Sequence, residues 1–173
     1  MKYLIILILS LAVLHAQTNE HKEKTTLPKL SMLDNNLTFS EIEGYKDYRI
    51  IATHYRTDKK EIRYILANDI GYTALKDKVK IMPEGSKIVK IGWSAEQMPS
   101  FKNALEADRI QRVEYMVKDS KRFNANGDHW GYARFVKKNG QYSAWDKGVQ
   151  GCISCHSSVK QSDYLFSHFQ ERF

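Results

Sequence analysis

The fold class is decided by residues 49–67, which read RIIATHYRTDKKEIRYILA. Two runs within it, 49–55 and 61–67, are rich in β-branched and aromatic residues, which favour strands. The polar residues 56–60 between them are typical of a turn. The stretch therefore predicts an antiparallel β-hairpin.

Working outward, the chain continues mostly as strands. Asn68 is a good helix cap, so a short helix is expected over 69–78. Residues 94–110 are polar and are expected to form a loop with a short helix. Three further runs have strand composition, namely 86–93, 112–118 and 130–137. The predicted fold is mainly β (α+β), an antiparallel sheet of about five strands with short helices.

Composition limits the class of protein. The 173 residues are 42% hydrophobic and 12% aromatic, which suits one folded domain and excludes a disordered chain. Two cysteines are too few for a disulfide-rich scaffold. The net charge of +7 comes from interspersed charges of both signs. We therefore expect a solvated surface that docks an external redox partner, and no nucleic-acid partner.

The first 38 residues differ from the rest. Residues 1–16 carry Lys2, a short apolar run and a small residue at Ala16, a pattern typical of a cleaved signal peptide. An uncleaved anchor is the alternative, but the run is short for a spanning helix. Residues 17–38 are expected to be a polar linker, and 39–173 the domain. Export predicts a periplasmic protein.

Both cysteines lie in one motif, Cys152-Ile153-Ser154-Cys155-His156. The spacing C-x-x-C-H is the attachment signature of haem c, with the thiols bonding the haem and His156 binding the iron. A redox-active cysteine pair with an incidental histidine is the alternative. A zinc site would need further ligands, and the chain has no other cysteine.

What the iron does depends on its opposite side, which is filled in an electron carrier and open in a chemical or gas-binding site. Composition does not choose among the possible sixth ligands, which are Met82, Met98, Met116, His54, His129 and His168.

The order of several segments resembles the cytochrome P-460 family, which includes the cytochromes c′-beta. The segments are EIRYILANDIGY (61–72), PEGSKIVKIGW (83–93), VEYMVKDSKRF (113–123), HWGYARF (129–135) and CISCHSSVKQSDYLFSHF (152–169). The resemblance implies a mainly antiparallel β domain, commonly a homodimer, with one covalent haem c and an open distal side.

The resemblance also implies roles for three residues. Lys90 matches a lysine that forms an additional bond to the porphyrin, and Glu114 matches a distal carboxylate that assists hydroxylamine oxidation. Arg63 matches a distal arginine, expected to hold Glu114 ionised or to stabilise a bound anion.

Strand alternation is compatible with these roles. Side chains alternate between the two faces of a strand. Lys90 therefore points to the face that Val89 and Ile91 do not share, and Glu114 points to the face that Val113 and Tyr115 do not share. Without the resemblance, solvent-facing charges on a half-exposed sheet would be the simpler interpretation.

The leading hypothesis is a mono-haem enzyme that oxidises hydroxylamine. The alternatives are a non-enzymatic cytochrome that binds or scavenges nitric oxide, and a small six-coordinate electron carrier. Each predicts a different iron environment and a different reaction with small nitrogen oxides.

Overall fold

The computed structural model of the protein describes residues 28–171. It shows one six-stranded antiparallel sheet in which the strands follow each other in chain order from β1 to β6. The strands are β1 (Arg49–Arg56), β2 (Glu61–Ala67), β3 (Lys87–Gln97), β4 (Leu105–Lys118), β5 (Trp130–Lys138) and β6 (Gln141–Ala144). The mainly β antiparallel fold is confirmed, with one strand more than predicted.

Two short α-helices lie beside the sheet. Helix α1 (Asp69–Lys76) follows β2 and begins at Asn68, whose side chain accepts a hydrogen bond from Gly71 N. Helix α2 (Gln150–His156) contains both cysteines. Short 3₁₀ helices complete the described elements at Phe39–Ile42, Tyr45–Asp47, Asn124–Asn126 and Ser157–Ser162.

Each face of the sheet carries its own core. Val89, Val113 and Phe135 pack on one face with the segment before β1. Ile88, Met116, Tyr132 and other residues pack on the opposite face, toward α1, α2 and the C-terminal segment. This division follows the strand alternation, since neighbouring residues point to opposite faces.

The expected loop over 94–110 is wrong. Strand β3 continues to Gln97 and β4 begins at Leu105, so the two strands form a long hairpin with Ala95 paired to Ala107. Polar residues occupy this extension because it projects beyond both cores, where a strand can be solvated on both faces.

The residues before β1 contribute to the core. In the described part of the expected linker 17–38, Met32 is 1% exposed and Leu37 is fully buried. Asp34 also accepts a hydrogen bond from Val149 N at the start of α2, at 2.6 Å. The sequence did not predict this packing, because the segment is mostly polar and only a few apolar residues attach it to the core.

The predicted signal peptide, 1–16, lies outside the described residues. Within residues 28–171, no helix has the length and apolar character needed to cross a membrane.

Candidate functional site

A cavity of about 390 Å³ lies between one face of the sheet and the C-terminal segment. Its size falls in the range of small-molecule and cofactor pockets, about 300–1,000 Å³. All six predicted site residues line it: Arg63, Lys90, Glu114, Cys152, Cys155 and His156. The fold therefore brings together residues that are up to 93 positions apart in the chain, from Arg63 to His156.

Charged side chains form two adjacent rows across the sheet wall of this cavity. In one row Lys90 pairs with Glu114 on β4, which pairs in turn with Arg134 on β5. In the next row Arg63 on β2 and Arg112 on β4 lie on either side of Gly92. Directly opposed residues have their Cβ atoms about 4.5–5.5 Å apart, so antiparallel register explains the clustering.

Glu114 is the centre of the first row. Its carboxylate contacts the Lys90 ammonium, and it lies 3.1 Å from Arg134 Nε and 3.3 Å from Arg112 Nε. The guanidinium groups that contact Glu114 are therefore those of Arg112 and Arg134. Arg63 lines the same cavity but pairs with a different carboxylate, that of Glu61.

Lys90 has an unusually low pKa for a lysine. Burial, together with the positive charges of Arg63, Arg112 and Arg134, lowers its pKa from the ordinary value to about 7. The negative charge of Glu61 favours the ammonium form, but it does not outweigh these effects. A neutral amine, which is the nucleophilic form, is thus accessible near neutral pH.

Glu61 is a second buried carboxylate, which the sequence analysis did not identify. It is fully buried at the start of β2 and pairs with both Arg63 and Arg112. Gly92 leaves room for it, because a Cβ at that position would lie 3.1 Å from the Glu61 carboxylate carbon. Glu61 was missed because it directly follows a polar turn in the sequence, where a charged residue is usually exposed.

The opposite wall of the cavity carries the cysteine motif. Cys152 and Cys155 are both free thiols on α2. The His156 ring donates a hydrogen bond from Nδ1 to the Tyr164 carbonyl at 2.7 Å. Burial lowers the pKa of His156, which favours the neutral ring, the form whose Nε2 lone pair can bind a metal.

These residues fit a haem. Two thiols and a neutral, oriented imidazole reach one cavity from one helix turn, as the thioether-bonded group requires. Within residues 28–171, no cluster of three or more His, Cys, Asp or Glu side chains could hold a bare metal ion. An iron here would need the macrocycle for its other ligands.

Unsatisfied polar atoms on the sheet wall also fit a bound polar group. Three buried atoms of this wall are in charge contact but have no hydrogen bond of good geometry, namely Arg112 Nε, Glu114 Oε2 and Arg134 Nε. Buried polar atoms of this kind call for a ligand or water to complete them.

Of the six candidates for a sixth ligand, two line the cavity. They are His54 on β1 and Met116 on β4. Met82 is buried in the adjacent core, where its backbone N–H donates to Asp163.

Two further cavity residues were missed. Arg134 and Trp145 stack, with the guanidinium carbon 4.0 Å from the ring centroid. A Cβ on Gly151 would lie 2.9 Å from the Trp145 ring, so the glycine before Cys152 lets the indole pack against α2. The only sequence signal was a glycine adjoining the motif, which is not specific.

No curated protein matches this chain. The family model described as Cytochrome P460 matches residues 42–167, a range that begins before β1 and ends within the residues that line the cavity. The chain therefore belongs to the cytochrome P460 family, a family of haem c cytochromes.

Proposed function

We propose that this protein is a periplasmic mono-haem cytochrome that oxidises hydroxylamine in the cavity beside α2. The observation that supports this most strongly is the Lys90–Glu114 pair, because a low-pKa amine and a carboxylate share the cavity that the cysteine motif borders.

Three residues would hold the cofactor. The thiols of Cys152 and Cys155 would form the covalent attachment, and His156 would bind the iron through Nε2. The haem, when bound, supplies an iron that takes up the nitrogen substrate and passes its electrons to an external acceptor.

Glu114 would act as the general base. Oxidation of hydroxylamine releases protons together with electrons, and a positioned carboxylate accepts those protons within hydrogen-bond reach. Arg112 and Arg134 hold the carboxylate in place through the contacts at 3.3 and 3.1 Å. Glu114 would accept the protons, and the cofactor would accept the electrons.

Lys90 would form the additional bond to the porphyrin. The neutral amine would supply the electron pair for a C–N bond, one N–H and one C–H bond would be lost, and the two electrons and two protons released would reduce an oxidant such as a peroxide to water. The pKa of about 7 makes that amine available without strong base.

The first experiment is intact mass and the reduced absorption spectrum of the purified haem-loaded protein, for wild type, Lys90→Met and Lys87→Met. Lys87 lies on the same strand, but its ammonium donates to the Glu41 carbonyl, away from the cavity. We expect a strongly red-shifted reduced Soret band in wild type and Lys87→Met, and its loss in Lys90→Met. An ordinary spectrum in all three proteins would exclude the cross-link.

The second experiment is hydroxylamine-dependent reduction of a dye acceptor by the same haem-loaded proteins. Glu114→Gln should lower the rate by about 10²–10⁴-fold, the usual contribution of a general base. Glu96→Gln, an exposed glutamate on β3, should leave it unchanged. No reduction by wild type with any acceptor would reject the enzyme.

Nitric-oxide binding is a second candidate, favoured by the apolar part of the cavity lining. Ile51, Ile65, Ile88, Met116 and Leu165 all border the cavity. This function requires an unmodified porphyrin and prompt nitric-oxide binding without hydroxylamine turnover. An electron carrier would instead use His54 or Met116 as sixth ligand and would bind nitric oxide poorly.

A further inference from the structure

A buried ion pair lies next to the cavity but is not part of its lining. Lys118 and Asp163 are 4% and 5% exposed, and Lys118 Nζ lies 2.9 and 3.1 Å from the two Asp163 carboxylate oxygens. Lys118 Nζ also donates to the Asp128 carbonyl at 2.9 Å. The proposed reaction uses neither residue.

A buried ion pair of this kind adds little net free energy to the stability of the fold. Removing both charges from water costs about as much as their attraction returns, and an apolar pair of similar size packs at least as well. The geometry of the pair is therefore more informative than its energy.

The pair holds a turn in a demanding conformation. Asp163 and Tyr164 are consecutive non-glycine residues with φ of +48° and +65°, a backbone region that such residues rarely adopt. Asp163 is fixed further by Met82 N, which donates to its carboxylate at 2.8 Å, and by Trp130 Nε1, which donates to its carbonyl at 3.1 Å. Contacts to three separate parts of the chain keep the turn in place.

The turn contacts His156. Its Tyr164 carbonyl accepts the hydrogen bond from His156 Nδ1 at 2.7 Å. A second branch reaches the same ring, because the Tyr132 hydroxyl donates to Asp128 at 2.7 Å and the Tyr132 ring lies 5.0 Å from the imidazole. Lys118 contacts both branches, at Asp163 and at the Asp128 carbonyl.

We propose that Lys118 and Asp163 are positioning residues that orient the His156 imidazole and set its electron donation to iron. The inference rests on the proposed binding of iron by His156. A hydrogen bond from Nδ1 to a carbonyl fixes the tautomer and strengthens the ring as a ligand, which favours the oxidised iron. Loosening the turn weakens that bond and favours the reduced iron.

The test uses haem-loaded Lys118→Met and Asp163→Asn, with Lys87→Met as the control. Lys87 is a lysine of the same sheet that donates to a backbone carbonyl at 2.6 Å and faces away from the cavity. The measurements are the midpoint potential of the haem and the iron–histidine vibration of its reduced form. We expect a positive shift of the potential and a lower vibrational frequency in both test variants, with the control unchanged.

Two results would overturn the proposal. One is a wild-type potential and vibration in both haem-loaded test variants. The other is that neither variant accumulates as folded, haem-loaded protein under conditions where Lys87→Met does, since the pair would then be structural only.

Neither measurement depends on hydroxylamine turnover, so a failure of the proposed enzyme activity is seen separately. A reduced wild-type iron that is five-coordinate and lacks an iron–histidine vibration would reject both the ligation by His156 and this inference.

Discussion

At Lys90 the protein places an amine where burial and three guanidinium groups oppose its positive charge, and the pKa falls to about 7. The residue is not a spare surface cation, because its side chain contacts Glu114 within the cavity. Its reactivity is therefore set by pH in the neutral range.

Formation of the Lys90–porphyrin bond should depend on pH. The neutral amine reacts, so the rate on adding peroxide to freshly loaded protein should rise about tenfold per unit below pH ~7 and level off above it. The growth of the red-shifted band, followed over pH ~5.5–9, measures this rate. Lys90→Met is the control, and a rate that rises only near the ordinary pKa of lysine would contradict the assignment.

Glu61 should matter for stability more than an exposed acid does. Glu61→Gln removes the buried counter-charge of Arg63 and one of the two carboxylates that Arg112 contacts, and it should cost about 3–5 kcal/mol, the usual effect of removing one partner of a buried pair. Urea unfolding measures the change.

Asp58→Asn serves as the control for Glu61→Gln. Asp58 pairs with Arg56 in the exposed β1–β2 turn, so the urea midpoint of Asp58→Asn should equal that of the wild type. Equal midpoints for the two variants would show that Glu61 is not a buried anchor.

At the scale of elements, Asn68 joins helix α1 to strand β3. Its side-chain oxygen accepts from Gly71 N and Lys87 N, both at 3.0 Å, and its amide nitrogen donates to the Gly85 carbonyl at 2.9 Å. The residue was predicted only as a helix cap, because its other partners, Gly85 in the turn before β3 and Lys87 at the start of β3, are 17 and 19 positions away.

Loss of the Asn68 side chain should therefore destabilise the protein more than loss of a typical helix cap does. We expect Asn68→Ala to lower the free energy of unfolding by about 2–3 kcal/mol, against about 1 for a typical cap. Thermal or urea unfolding tests it beside Asn103→Ala, an exposed asparagine in the β3–β4 turn. A loss no larger than that of a typical cap would mean that the bonds to β3 contribute little.

The elements were predictable where their pattern was local. Both strands of the first hairpin, helix α1 and the core of β4 follow from alternation, composition and capping, which neighbouring residues determine. The β3–β4 extension was not predictable, because its polar residues are held as strands by cross-strand pairing and not by burial.

At the scale of the whole molecule, the segment before β1 belongs to the folded domain. Met32 and Leu37 are buried in the core, and Asp34 is hydrogen bonded to the start of α2. The segment thus links the core on one face of the sheet to the helix that carries the cysteine motif.

A chain that begins at residue 39 should be much less stable than one that begins at 28. Loss of two buried side chains, each worth about 2–5 kcal/mol, removes much of the 5–15 kcal/mol that holds a typical domain of about this size. Circular dichroism melting of both chains measures the difference, and a chain starting at 28 that melts like one starting at 17 is the control. Equal melting of the two shortened chains would make residues 28–38 a linker after all.

The sequence by itself determined the haem motif, the mainly β class and the faces on which Lys90 and Glu114 lie. These depend on spacing and alternation between residues that are close in the chain. The family resemblance, which the family match confirms, added their expected roles.

Only the tertiary structure decided which charges meet. Arg112 and Arg134 contact Glu114, Arg63 turns to the buried Glu61, and Lys118 and Asp163 hold the turn that contacts His156. These contacts join residues on different strands and loops, and their partners depend on the register of the sheet and on the packing of the C-terminal segment. A linear pattern carries the residue types, whereas the register and packing of the folded chain select the partners.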